Sequence, residues 1–412
     1  MTRAPLCSSN PEEILDNQTI ENPHPFYARL RDQHPISRVT ETGVHLVATW
    51  EGILEVLGRE EDFSANLTGV LLRDDHDQPT TFALPANFGT QVIATADEPH
   101  HSIHRRLIRP RMTEARITAL ESSIRRWTRE SLADWLESGG GDFAPLAEIV
   151  PARAIGSLLG LPDGDVERHR TWAMMGGEIL AGDISQESMQ ELALETARMA
   201  EYLHHHLDQA LSETPPPEQA SLLHTLAEGV KSDQITLPEA TGIAIILFGA
   251  GGESTTSLIG SAIRLLAETP DLAQRLRENP TLISRFVEEA LRLEPPFKFH
   301  YRAVRQECQL AGFTLLPGDR LMLLWAAANR DPKIFSSPDT LQLDRKHPKH
   351  HMGFGRGAHF CIGAPLARLE ARIVIEEVLK GTKHFRLDPS SPPRHARSIF
   401  IRRLDSLPII IE

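Results

Sequence analysis

Met352-Gly-Phe-Gly-Arg-Gly-Ala-His-Phe-Cys361-Ile-Gly363 is the stretch on which the reading of this chain turns. Gly353, Gly355 and Gly357 fall at alternate positions, and Cys361 follows with Gly363, Ala364 and Pro365 just beyond. Then Leu366, Leu369, Ile373, Val374 and Val378 repeat at the three-and-four spacing of an amphipathic helix. Cys361 therefore stands at the end of a glycine-bearing loop and at the mouth of a helix. Glycine lets a backbone take positive φ and approach a flat object closely. A helix N-terminus offers unpaired N–H groups and partial positive charge, which favours a thiolate over a thiol.

The residues leave three uses open for Cys361. A lone free cysteine is commonly inert core. A nucleophile paired with His359 is a second use, at a poor separation of two residues and without a cysteine-hydrolase signature. A single thiolate ligand to haem iron is the third. A nucleotide loop at the glycines would need an apolar strand before it, and Arg345-Lys-His-Pro-Lys-His-His351 is no such strand.

Composition narrows the classes. The chain has 412 residues and a net charge of −13, which excludes a general nucleic-acid binder with a basic footprint. Cys7, Cys308 and Cys361 are too few and too scattered for a disulfide framework or a Cys-x-x-Cys zinc site. The N-terminus has no apolar signal core, and the most apolar run, Gly242 to Gly252, is far shorter than the roughly 20 residues of a membrane span. A cytoplasmic, unanchored protein is expected. Length alone suggests two or three domains. The pattern instead reads as one mainly helical domain over 1–412 with a small β portion, residues 1–21 being an N-terminal extension.

Working outward, His45 to Thr49 reads as a strand and Trp50 to Leu57 as a helix. Asn66 to Phe88 reads as a turn-rich, irregular loop, either functional or a solvated insertion. His101 and Arg105 are four apart and share a helix face, which by default is a solvated basic face. Three consecutive histidines, His204 to His206, point in three directions on a helix and read as surface.

Thr236-Leu-Pro-Glu239 is a capping-box start for a helix reaching about Ala267. Its middle reads Phe248-Gly-Ala-Gly-Gly-Glu253-Ser254-Thr255-Thr256-Ser257. Glycines in a helix interior cost about 1 kcal/mol each. Buried acids and hydroxyls cost more unless paired. Either the helix opens locally here for chemistry, or the glycines allow a close helix crossing while the hydroxyls bond back to carbonyls. Pro280 to Glu294 is a further helix, and its Glu289–Arg292 pair, read alone, is an exposed ion pair of little worth.

These segments together resemble the cytochromes P450. Phe354, Gly357, His359, Cys361 and Gly363 fill the places of that family's haem-ligand loop: phenylalanine, glycine three on, a basic residue, the cysteine and a glycine. Ala250-Gly-Gly-Glu253-Ser254-Thr255 resembles the family's distal segment, with serine where threonine is usual. Glu289-Ala-Leu-Arg292 matches its Glu-x-x-Arg, and Pro296 to Arg302 its strand ending in a propionate-binding arginine. The resemblance runs from about Asn22 to the C-terminus, with a weaker likeness to an actinobacterial orphan subgroup.

The resemblance implies a P450 fold with haem b between a long central helix and the cysteine loop. It implies Cys361 as the iron ligand, with His101, Arg105, Arg302 and His359 on the propionates. Ala250, Phe354, Gly355 and Gly363 would lie against the haem. Glu253 and Ser254 are implied as the proton-relaying acid and alcohol, and Thr255 could share the task. The substrate pocket is implied at Leu67 to Val92, Met174 to Met199, Ile246, Leu247, Phe297, Lys298, His300, Phe400 and Ile401. Lys298 and His300 would suit a carboxylated or phenolic substrate, or else point outward or bond a propionate. The implied activity is a monooxygenase that uses O2, a small organic substrate, and electrons from a ferredoxin and its reductase. Arg105, Arg106, Arg109 and Arg111 offer a docking patch. Two rivals keep the cysteine loop: a thiolate-haem oxidase that couples or rearranges substrates without inserting oxygen, and a non-catalytic haem- or ligand-binding protein.

Overall fold

The apolar spacing becomes a helical body in a computed structural model that describes residues 10–74, 76–84 and 90–412. Cys7, part of the N-terminal extension and residues 75 and 85–88 of the 66–88 loop lie outside the described residues. The principal helices are α1 (Trp50–Leu57), α2 (His100–Ile108), α3 (Glu121–Glu137), α4 (Ala144–Leu159), α5 (Val166–Ala173), α6 (Gln186–Ser212), α7 (Leu237–Glu268), α8 (Ile283–Leu293) and α9 (Ala364–Gly381). Strands β1 (Ile36–Val39), β2 (Val44–Val47), β3 (Phe63–Ser64), β4 (Gly69–Arg73), β5 (Pro79–Ala83), β6 (His300–Val304) and β7 (Arg320–Leu323) form the main β portion. Helix accounts for 53% and strand for 13%, the mainly α architecture expected.

The five-stranded sheet has the order β1-β2-β7-β6-β3, with β7 parallel to β2 and antiparallel to β6. That register pairs Arg302, in the middle of β6, with Leu321 of β7. The expectation of irregular chain at 66–88 is corrected in part. Gly69–Arg73 pairs with Pro79–Ala83 as an antiparallel hairpin. Val70, Leu71, Thr80 and Thr81 supply the branched and apolar side chains that favour a strand.

Helix α7 is the axis of the molecule. The Thr236 hydroxyl accepts from the Glu239 N–H, and the Glu239 carboxylate accepts from the Thr236 N–H at 2.7 Å. The helix then runs unbroken for 32 residues, so its glycines do not open it. They answer instead to close packing. A Cβ on Gly249 would stand 3.0 Å from Gly176 backbone, and one on Gly252 would stand 2.3 Å from the Ala173 Cβ. The end of α5 and the turn after it therefore lie directly on α7. By length and composition α7 could cross a membrane, but 67% of its apolar window is buried inside the fold.

Candidate active site around Cys361

The cysteine loop is held by its own backbone. The Cys361 N–H donates to the Phe354 carbonyl at 2.9 Å, and the Gly355 N–H to the Met352 carbonyl at 2.9 Å. Gly355 and Gly357 take φ of +68° and +73°, which side-chain-bearing residues rarely adopt. Gly353 is needed for space, since a Cβ there would meet the Leu291 carbonyl at 2.8 Å. Helix α9 begins at Ala364, and the Gly363 and Ala364 N–H groups bond the Cys361 sulfur. The expectation of a favoured thiolate is corrected. Burial pushes the Cys361 thiol up, and it outweighs those N–H groups and the Arg105 charge. A cation on the sulfur supplies the missing term, because a coordinating thiol is deprotonated.

Two adjacent acids on α8 position the loop from both sides. Glu289 and Arg292 form a bidentate pair at 2.7 and 2.9 Å, each side chain 1% exposed, so the exposed-pair expectation is corrected. Arg292 also donates to the carbonyls of Asn329, Pro338 and Thr340, and Arg345 joins Glu289 at 2.9 Å. The pair thus fixes the chain that leads into the loop. Glu288 faces the other way, bonding His351 at 2.9 Å and Arg368 at 2.7 Å, one residue before the loop and seven after Cys361. Burial alone would raise the Glu288 pKa, but these two partners bring it down to about 2.

Beside the loop, a cavity of about 280 Å³ is lined by His101, Arg302, Arg305, Arg356, His359 and acids at its rim. His101 stacks on His359 with ring centroids 3.9 Å apart. Burial, then the nearby cations, pushes His359 down to about 3, so its ring is neutral. Burial likewise lowers Arg302 to about 10. The His101 Nε2 and His359 Nδ1 are buried without a partner, as is the Arg356 Nε. Buried donors in that state call for an anionic acceptor. The two carboxylates of a haem fit, with the Cys361 sulfur as its metal ligand. Arg105 lies alongside, its Nη1 donating to the Phe360 carbonyl at 2.9 Å.

On α7, Ile246, Ala250 and Ser254 are four apart and share one face. Ala250 is exposed and the other two half-buried in a helix otherwise mostly buried, so this face looks onto open space. The Ser254 hydroxyl donates to the Ala250 carbonyl at 2.5 Å. Thr255 is 3% exposed on the next face around, and the structure does not bring it to the opening beside Ser254. Glu253 is 1% exposed. Its carboxylate accepts from the Gly177 N–H at 2.8 Å and from the Arg403 Nε at 3.3 Å. Burial pushes its pKa up to about 7, against Arg403 and with Glu178.

The pocket residues divide. Phe297 stacks on Phe400 at 4.6 Å, Phe297 bridges to Ile401, and Leu247 is buried on α7 one position from Ile246. His300 accepts from the Trp325 Nε1 at 2.7 Å and is pushed by burial to about 3. Lys298 is corrected as a pocket cation. Its Nζ donates to the Ser398 carbonyl at 2.6 Å, and burial holds it well below its ordinary range. Leu67 is half-buried and its N–H donates to the Gln91 side chain, while the middle of that expected wall is outside the described residues. The basic patch also shrinks: Arg111 is spent on Thr225 and the Pro217 carbonyl, leaving Arg106 and Arg109 exposed.

Three residues escaped the sequence reading. Gly177 and Arg403 hold Glu253 from segments 76 and 150 residues away, and no spacing signals that. Glu370 was legible as an acid inside the apolar stripe of α9. It is 1% exposed with neither oxygen paired, and burial holds it protonated.

A half-buried cysteine at a helix mouth, stacked imidazoles and Arg302 beside it and an acid–alcohol helix define a haem-thiolate protein. The family model for Cytochrome P450 matches residues 184–401. Cytochrome P450 144 of Mycobacterium tuberculosis is 34% identical over 397 residues, covering 96% of this chain and 90% of that protein. Mycinamicin IV hydroxylase/epoxidase of Micromonospora griseorubida is 31% identical over 93% of this chain and 94% of its own. The crystal structure of P450BioI in complex with hexadec-9Z-enoic acid ligated acyl carrier protein superposes with a TM-score of 0.83 at 26% identity, covering 96% of this chain and 100% of that one. The chain belongs to the cytochrome P450 family. It is a haem b monooxygenase that takes O2, an organic substrate and electrons from a redox partner.

Proposed function

We propose that this chain is a single-domain, cytoplasmic monooxygenase that hydroxylates or epoxidises a small, largely apolar molecule, drawing its electrons from a ferredoxin and its reductase. The observation that supports the substrate class is the pocket wall. Phe297, Phe400, Ile401, Leu247 and Ile246 are apolar, Lys298 is turned to Ser398, and His300 is neutral. No charge on these residues is free to anchor a carboxylate. The exposed Arg106 and Arg109 on the α2 side suit an acidic electron donor, with salt-dependent association.

Haem bound at Cys361 would supply dioxygen activation and oxygen insertion. The chain does the rest. The Gly363 and Ala364 N–H groups stabilise charge on the sulfur. His101, Arg302, Arg105 and His359 would hold the propionates. Ser254 presents a hydroxyl at the open face of α7, where it can pass a proton. Glu253, with a pKa of about 7, can hold or release one near neutrality. Its carboxylate is committed to Gly177 and Arg403, so proton delivery requires it to leave them.

The test is a reduced carbon monoxide difference spectrum followed by turnover with NADH, ferredoxin and reductase on apolar and carboxylated ligand sets. A red-shifted thiolate band and spin shifts confined to apolar ligands support the reading. Absence of the band, or turnover independent of ferredoxin, overturns it. Ser254→Ala should raise peroxide release per electron consumed, and fully coupled turnover in that variant would remove Ser254 from the relay.

A further inference from the structure

The start of α7 and the face of α2 turned away from the cavity bring three metal-ligating groups together. His100 and His104 are one turn apart on α2. The Glu239 Oε1 lies 3.1 Å from the His100 Nδ1 and 3.4 Å from the His104 Nε2, and all three ligand atoms lie within 4.8 Å of one another. A tetrahedral ion with bonds of about 2.0–2.2 Å sets its ligand atoms about 3.3–3.6 Å apart, close to the two distances from the carboxylate. The second Glu239 oxygen is fixed by the Thr236 N–H and hydroxyl, at 2.7 and 2.8 Å, which orients the carboxylate. His104 is fully buried, and its Nε2 faces the carboxylate at 3.4 Å, too long for a well-made hydrogen bond. His100 is exposed, so the third side of the cluster opens to solvent and leaves a path for an ion and a water ligand. The haem chemistry described above uses none of these three residues.

We propose that His100, His104 and Glu239 bind a divalent transition-metal ion of the zinc type, separate from the haem, which clamps α2 to the first turn of α7. Two imidazoles and a carboxylate with an open fourth position are a zinc donor set. The clamp would tie down the helix that carries His101 and Arg105. One proton must move. The His104 Nδ1 accepts from the Ile93 N–H at 3.1 Å, which places the ring hydrogen on Nε2. Binding metal through Nε2 transfers that hydrogen to Nδ1 and releases the Ile93 N–H. Ile93 holds a positive φ of 39° and precedes Thr95 to Asp97 at the cavity rim, so the ion would tighten the helices while loosening this backbone.

The experiment is calorimetric titration of chelator-stripped holoenzyme with zinc chloride, with X-ray absorption at the zinc edge and amide exchange at Ile93. The expected result is one equivalent bound, a nitrogen and oxygen shell without sulfur, and faster Ile93 exchange in the loaded protein. His100→Ala, on the surface, should weaken binding at least tenfold while leaving the carbon monoxide spectrum unchanged. Glu239→Gln should weaken it similarly. A variant with alanine at 204, 205 and 206 should bind as the parent does, since those histidines are the alternative surface site. No stoichiometric uptake overturns the proposal. So does uptake indifferent to His100→Ala, or uptake lost in the 204–206 variant. None of these readouts depends on turnover, so failure here is distinct from failure of the monooxygenase reading.

Discussion

Replacing Glu253 by glutamine separates two jobs that one carboxylate does. Burial raises the Glu253 pKa from 4.5 to about 7. A carboxyl whose folded pKa lies above its unfolded value stabilises the fold when protonated, and loses that advantage as pH rises. The contribution is complete below the unfolded pKa of 4.5 and falls away until the folded value near 7 is passed. Linkage over this shift puts the loss at about 1 kcal/mol by about pH 5.5 and about 3 kcal/mol by about pH 8.5. Glutamine carries no such penalty. Its single amide oxygen can still accept from the Gly177 N–H, while its NH2 replaces the oxygen that faces Arg403, which keeps Asp405 as a partner at 2.9 Å. Glu253→Gln should therefore gain about 2 kcal/mol relative to the parent between about pH 5.5 and about pH 8.5. Urea unfolding of both holoproteins, followed by loss of the haem band at the two pH values, measures this. The same variant should lose coupled turnover, because an amide passes no proton. Parallel stability across the pH range would refute the burial argument, and intact coupling would refute the relay.

Other perturbations test the scaffold. Glu289→Ala leaves the Arg292 guanidinium buried with its bidentate partner gone, and should cost about 3–5 kcal/mol, read as loss of haem-loaded protein on expression. Gly252→Ala places a methyl 2.3 Å from the Ala173 Cβ, forces the end of α5 off α7, and should cost about 1–3 kcal/mol in urea melts while weakening spin-shift ligands. Lys298→Met removes a buried amine whose bond is to Ser398, so affinity for carboxylated ligands should not fall selectively in titrations.

The fold was legible because its signals are local. The capping box at Thr236 starts α7 within a residue of expectation, and the Trp50–Leu57 helix appears with the bounds expected of it. The cysteine loop was legible because its glycines must take φ values that few other residues accept. What stayed hidden depends on burial and on distance along the chain. The Glu289–Arg292 spacing is the same whether the pair is solvated or 1% exposed, and only the surrounding carbonyls of residues 329 to 340 decide. Helix-terminus reasoning gave the wrong sign for Cys361, because desolvation of a buried sulfur exceeds two N–H bonds until a cation is added. Lys298 lies among pocket residues in sequence, yet a carbonyl 100 residues away decides where its amine goes.

The glycines of α7 show why local and global readings both applied to one segment. Packing explains two of them: Gly249 and Gly252 admit the 173–177 turn against the helix, whereas a Cβ on Gly251 would make only an ordinary contact with Ile155 at 3.4 Å. But the turn's contact with α7 delivers the Gly177 N–H to Glu253, and a Cβ on Gly177 would stand 3.0 Å from the Glu253 Oε2 and 3.2 Å from Phe400, a tight fit. The glycines of this crossing are thus what lets the 173–177 turn bond the acid of α7. Moving the 173–177 turn away from α7 would break the Gly177 bond to Glu253, and no intermediate residue is needed because the two elements touch.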